Sequence, residues 1–156
     1  MTFSTRSSAT AMVAITALAS LVALSFVATP VKFLAEGVPI EHLLAVGRVT
    51  FRASGALEGT LLVFLTLLAR GRARIVAYVV AAALAFQWII LMPELDSRTL
   101  ARMSGAVVPP SGLHGWWIAL DALRVGLYGA IAWVAMRSAC GKPAPNDLER
   151  YPSAAI

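Results

Sequence analysis

WWIALDALRVGLYGAIAWVAM, residues 116–136, is the stretch on which the reading of this chain turns. As an α-helix it extends roughly 31 Å, the thickness of a bilayer's hydrocarbon core. Two ionisable residues, Asp121 and Arg124, stand three positions apart inside it. Such groups are expensive in a membrane span unless they face a bundle interior, pair with one another or line a wet cavity, so they mark candidate functional positions. His114, Trp117, Asp121, Arg124 and Tyr128 recur at spacings of three and four and therefore share one helical face. That face is expected to look into a bundle.

Three further apolar runs flank this one, at residues 9–34, 53–69 and 75–92, and the fourth span is drawn as 113–136. With 59% hydrophobic and 13% charged residues and a mean hydropathy of +0.78, the composition excludes an ordinary soluble domain. The expectation is an all-α, polytopic membrane four-helix bundle over residues 1–136, with short interfacial helices in the outer loops and a mobile cytoplasmic tail at 137–156. A formal charge of +5 does not point to nucleic acid, because the basic residues lie between apolar runs and form no single patch. The lone cysteine, Cys140, excludes an intrachain disulfide and a Cys-based metal framework. The first run follows Arg6, as a secretory signal would, but it exceeds the usual h-region and no clean A-x-A site follows. It reads as an uncleaved first helix.

Between the runs, Pro39 followed by Glu41, Leu43, Leu44 and Val46 predicts a short amphipathic helix at the interface, ended by Gly47. Pro93 is expected to close the third span, and Asp96 to cap a short helix that Gly105 stops. Ser111 is placed as the cap of the fourth helix. Glu94, Asp96, Arg98 and Arg102 read as a solvated face. The tight turn RGRAR at 70–74 favours the cytoplasmic side. Arg6, Arg70, Arg72, Arg74, Arg137, Lys142 and Arg150 then lie inside, and Lys32, Arg48, Arg52, Arg98 and Arg102 outside, so both termini are expected on the cytoplasmic side of the membrane.

In that topology Glu58, Gln87 and Asp121 fall at one depth, each roughly 7–8 Å below the outer boundary, with Arg124 a turn deeper. Two carboxylates around one guanidinium, with Gln87 and Tyr128 as neutral partners, make a candidate polar site for a small solute, ion or proton. The same residues also read as a structural buttress, Glu58 pairing with Arg52, Lys32 or Arg124. His42 and His114 are candidate outer-side ligands, although surface or capping histidines are commoner. Gly55, Gly59, Gly126 and Gly129 offer small-residue surfaces for helix packing or for a membrane partner or second copy. The chain carries no HExxH, GxSxG, CxxC or P-loop arrangement, so no enzyme, metal site or cofactor is expected. The bilayer is the one partner that composition implies.

The stretches ATPVKF (28–33), GRVTF (47–51), LMPELDSRT (91–99) and PPSGLH (109–114), spread over four short spans, resemble small bacterial inner-membrane proteins of the domain-of-unknown-function type. The resemblance spans residues 10–136 and rests on Pro30, Lys32, Phe33, Gly47, Arg48, Phe51, Pro93, Leu95 and His114. It implies the four-span architecture and brings no mechanism with it.

Overall fold

The structure, a computed structural model, describes residues 3–140 of the chain. Helix α1 (Phe3–Leu21) passes through a widened π-helical segment, Val22–Ala28, into the short α2 (Thr29–Val31) and a closing 3-10 turn, Lys32–Leu34. Helix α3 covers Ile40–Leu68, and α4 (Gly71–Phe86) runs through a second π segment, Gln87–Leu91, into α5 (Met92–Met103). Helix α6 is Leu113–Cys140. These make four continuous helical units, each long and apolar enough to cross a membrane, and no strand occurs among the described residues.

Each unit buries one narrow stripe. In α6 it is Trp117, Asp121, Arg124, Tyr128, Ile131 and Ala135; in α4 and its extension it is Ala73, Ala77, Val80, Leu84, Gln87 and Leu91. Steps alternating between four and three residues keep a side-chain seam on one helical face, as in left-handed bundles. Around the bundle, α1 packs on α6 and α3, and α4 packs on the same two helices. Helices α3 and α6 therefore stand diagonally opposite each other. Large apolar side chains such as Met12, Phe64, Ile75, Ile89 and Trp133 cover the outside, while Glu58, Gln87, Asp121 and Arg124 are buried. Such an inside-out distribution suits a chain whose solvent is lipid, with helices held by packing and polar contacts.

Only two residues, Ala69 and Arg70, join α3 to α4, which forces an antiparallel hairpin. Gly71 enters α4 at φ 53°, a conformation that a Cβ disfavours. The last carbonyls of α3 find side-chain donors here: Arg6 Nε reaches Leu68 O at 2.9 Å, Arg6 Nη2 reaches Leu67 O at 2.5 Å, and Arg74 Nε reaches Ala69 O at 2.9 Å. Arginines read as topology signals thus also cap a helix end.

The sequence boundaries shift in four places. Gly47 does not end a separate interfacial helix, because α3 runs unbroken from Ile40; a single helical glycine costs only about 1 kcal/mol, and tertiary packing overrides it. Pro93 does not close the third span either. Met92 donates its N–H to Gln87 O, five residues back, and this wide turn lets the helix continue past a residue with no N–H of its own. The same device precedes Pro30, where Thr29 N–H bonds Leu24 O and the Thr29 hydroxyl adds a second bond to that carbonyl at 2.7 Å. Asp96 lies inside α5 and caps nothing, whereas Gly105, at φ 83°, stands just beyond that helix's end as expected. Helix α6 continues through Arg137 to Cys140, and the rest of the expected cytoplasmic tail, 141–156, lies outside the described residues.

Candidate functional site

Arg124 occupies the centre of the bundle and is 2% exposed. Its Nη1 donates to Glu58 Oε1 at 2.7 Å, across the diagonal from α6 to α3, and its Nη2 donates to Asp121 Oδ1 at 2.5 Å on its own helix. Tyr128, one turn further along the same stripe, donates its hydroxyl to Glu58 Oε1 at 3.0 Å. Gln87 Nε2 donates to Asp121 Oδ1 at 2.8 Å and to Trp117 O at 3.1 Å. Gln87 opens the π segment, so the wide turn that accommodates Pro93 begins at the side chain that ties this unit to α6. Glu58, Gln87 and Asp121, expected at one depth, join Arg124 and Tyr128 in one hydrogen-bonded cluster. Of the expected stripe on α6, His114 alone is exposed.

The cluster joins two carboxylates to one guanidinium in surroundings where ion pairs are little screened. Taking an ion out of water costs several kcal/mol, offset only by close geometry and hydrogen bonds to the remaining polar atoms. Here the offset is incomplete: Gln87 Oε1, Trp117 Nε1 and Arg124 Nε are buried and have no hydrogen-bond partner among the described residues. Beside them lies a cavity of about 20 Å³, lined in part by Ser25, Ser54, Glu58, Asp121 and Arg124. That is room for one water molecule next to the ion pairs.

Trp117 and Phe51 line this small cavity and also a larger one of about 330 Å³, at the end of the bundle that carries the connections 35–39 and 104–112. Their rings meet edge-on at 5.8 Å, and Trp88 stacks edge-on against Trp117 at 6.5 Å. Gly55 seats Trp88: a Cβ at Gly55 would overlap the indole. This glycine is therefore filled from within the chain. A Cβ at Gly129 would make an ordinary contact with Leu18, whereas Gly59 and Gly126 would accept one into open space.

The larger cavity, or vestibule, gathers residues from all four stretches ATPVKF, GRVTF, LMPELDSRT and PPSGLH. On one side, Arg48 clasps Asp96 with two bonds, Nε to Oδ1 at 2.5 Å and Nη2 to Oδ2 at 2.9 Å, and Arg52 adds a third to Oδ2 at 3.2 Å. Asp96 is thus the bridge between α3 and α5, not a member of a solvated face. The signal for it was Arg48 and Arg52 four residues apart, one helical face with two forks for a single carboxylate. Arg98 lies 3.8 Å from Glu94 and donates to the carbonyl of Pro109, holding the connection that leads into α6. Of the two histidines, His114 lines the vestibule and His42, which is exposed, does not. They are not brought together there.

Compared with known proteins, the chain matches no family model, no curated protein and no solved structure. The functional reading rests on the chain's own residues.

Proposed function

We propose that this chain is a multi-pass protein of a bacterial inner membrane, with both termini cytoplasmic, whose buried cluster of Glu58, Gln87, Asp121, Arg124 and Tyr128 binds or carries a small solute, ion or proton. One observation carries the reading: two carboxylates from diagonally opposed helices share a single guanidinium. With both ionised, the cluster holds one uncompensated negative charge, which a proton or small cation neutralises. A water-sized cavity against Glu58, Asp121 and Arg124 gives such a species a place to sit. The inside-out surface and the basic turn support the membrane placement and its orientation.

Proteoliposomes carrying the full chain, with a pH-sensitive dye inside and a potassium diffusion potential across the membrane, test the proton-carrying form. Uptake should exceed that of empty vesicles and vanish in Glu58→Gln and in Asp121→Asn, while both variants accumulate in the membrane as the parent does. The second reading is a structural or accessory subunit, in a homo-oligomer or with a membrane partner, in which the charges act as a buttress. Its supporting observation is that Arg124 ties α3 to α6 while Gln87 and Asp121 tie in the third unit. Absence of uptake in the parent, together with loss of both variants from the membrane, decides for that reading.

A further inference from the structure

Four cationic side chains, Lys32, Arg48, Arg98 and Arg102, line the vestibule against one carboxylate, Asp96. Two of the four are already committed: Arg48 to Asp96, and Arg98 to the Pro109 carbonyl and Glu94. Lys32 and Arg102 have no ion pair among the described residues. Lys32 is half-buried, its ammonium pressed against Gly47, where a Cβ would overlap it, and lying 5.0 Å from the Phe33 ring centroid and 5.8 Å from that of Phe51. The glycine thus makes room for a cation at the cavity wall. Arg102 is exposed at the same cavity.

A concave space of about 330 Å³ is at the lower end of the range for small-molecule sites, which combine apolar walls with a few convergent polar groups. Phe33, Phe51 and Trp117 supply aromatic surface to this wall. We propose that the vestibule binds a small amphiphilic anion, its carboxylate or phosphate oxygens held by Lys32 and Arg102 and its apolar body set against Phe33, Phe51 and Trp117. An anion here meets an excess of positive charge in a partly water-excluded recess, where each charge counts for more than on an open surface. The same chemistry is offered by the headgroup of an anionic lipid and by a water-soluble aromatic carboxylate. The inference stands on the vestibule alone and does not require the buried cluster to carry anything.

The test uses the full chain in phosphatidylcholine nanodiscs. One arm adds phosphatidylglycerol and counts retained lipid by native mass spectrometry; the other titrates benzoate by calorimetry. Saturable binding of one molecule per chain in the first arm identifies a lipid headgroup, and in the second a soluble anion. Lys32→Gln and Arg102→Gln should each weaken that binding by roughly five- to tenfold, and Asp96→Asn, which removes the one opposing charge, should tighten it. Arg72→Gln, the same charge loss at the opposite end of the bundle, should leave it unchanged. Because Arg102 is exposed at the rim, its variant keeps the test decisive if Lys32→Gln accumulates poorly. Lack of saturable binding in both arms overturns the proposal, as does an Arg72→Gln loss as large as the Arg102→Gln loss.

Discussion

The two halves of the bundle are built on different principles. Toward the two-residue turn, Ala14, Ala17, Leu65, Ala69, Ala73, Ala77, Ile131 and Ala132 are almost completely buried in one apolar cluster dominated by alanine. Toward the longer connections, both π segments, both prolines that follow them, the ion-pair cluster and the vestibule are gathered. The first half can pack its helices closely because alanine lets backbones approach. The second keeps polar atoms buried, some with no hydrogen-bond partner among the described residues, and leaves space among large side chains. One end of the molecule is close-packed and apolar, and the other combines buried charge with open space.

Breaking the charged centre should have the largest effect. Arg124→Met leaves Glu58 and Asp121 buried together without their shared cation, and removing one partner of a buried pair costs about 3–5 kcal/mol. Thermal unfolding in detergent should show a lower midpoint or no folded protein; a parent-like midpoint would mean that the pairs contribute little.

A paired substitution sharpens the contrast between the halves. Ala77 has no exposed surface, and Ala77→Leu should cost about 1–3 kcal/mol through overpacking. Thr99→Leu points the same kind of bulk at the vestibule that Thr99 lines, and should cost under ~1 kcal/mol. Equal losses of unfolding midpoint would erase the distinction between a close-packed end and a roomy one.

A milder cut into the charged centre removes a single hydrogen bond. Tyr128→Phe removes the donor 3.0 Å from Glu58 Oε1 and keeps the ring, for about 1–2 kcal/mol, since the acceptor is charged but still holds Arg124. A loss as large as that of Arg124→Met would make the hydroxyl, and not the guanidinium, the principal partner of Glu58.

Much of this architecture was legible beforehand, and the misreadings share a cause. The helix count and the buried stripe of α6 follow from hydropathy and periodicity, which are local properties of the chain. Gly47, Pro93 and Asp96 misled because each has a strong local meaning, as a stop, a break or a cap, that neighbouring segments override: α3 runs through its glycine, a π turn absorbs the proline, and two arginines engage the aspartate. The vestibule had no signal in any one stretch, since its lining comes from every helical unit.

Sequence alone therefore determined the four apolar helices and the level at which Glu58, Gln87 and Asp121 stand, because rise per residue converts position into depth. It left Glu58 with three possible cations. Tertiary structure chose Arg124, sent Arg52 to Asp96 and set Lys32 against Gly47 at the vestibule wall. That choice depends on how each helix is rotated about its own axis and which helix faces it across the bundle, and rotation is decided by the packing of all four together.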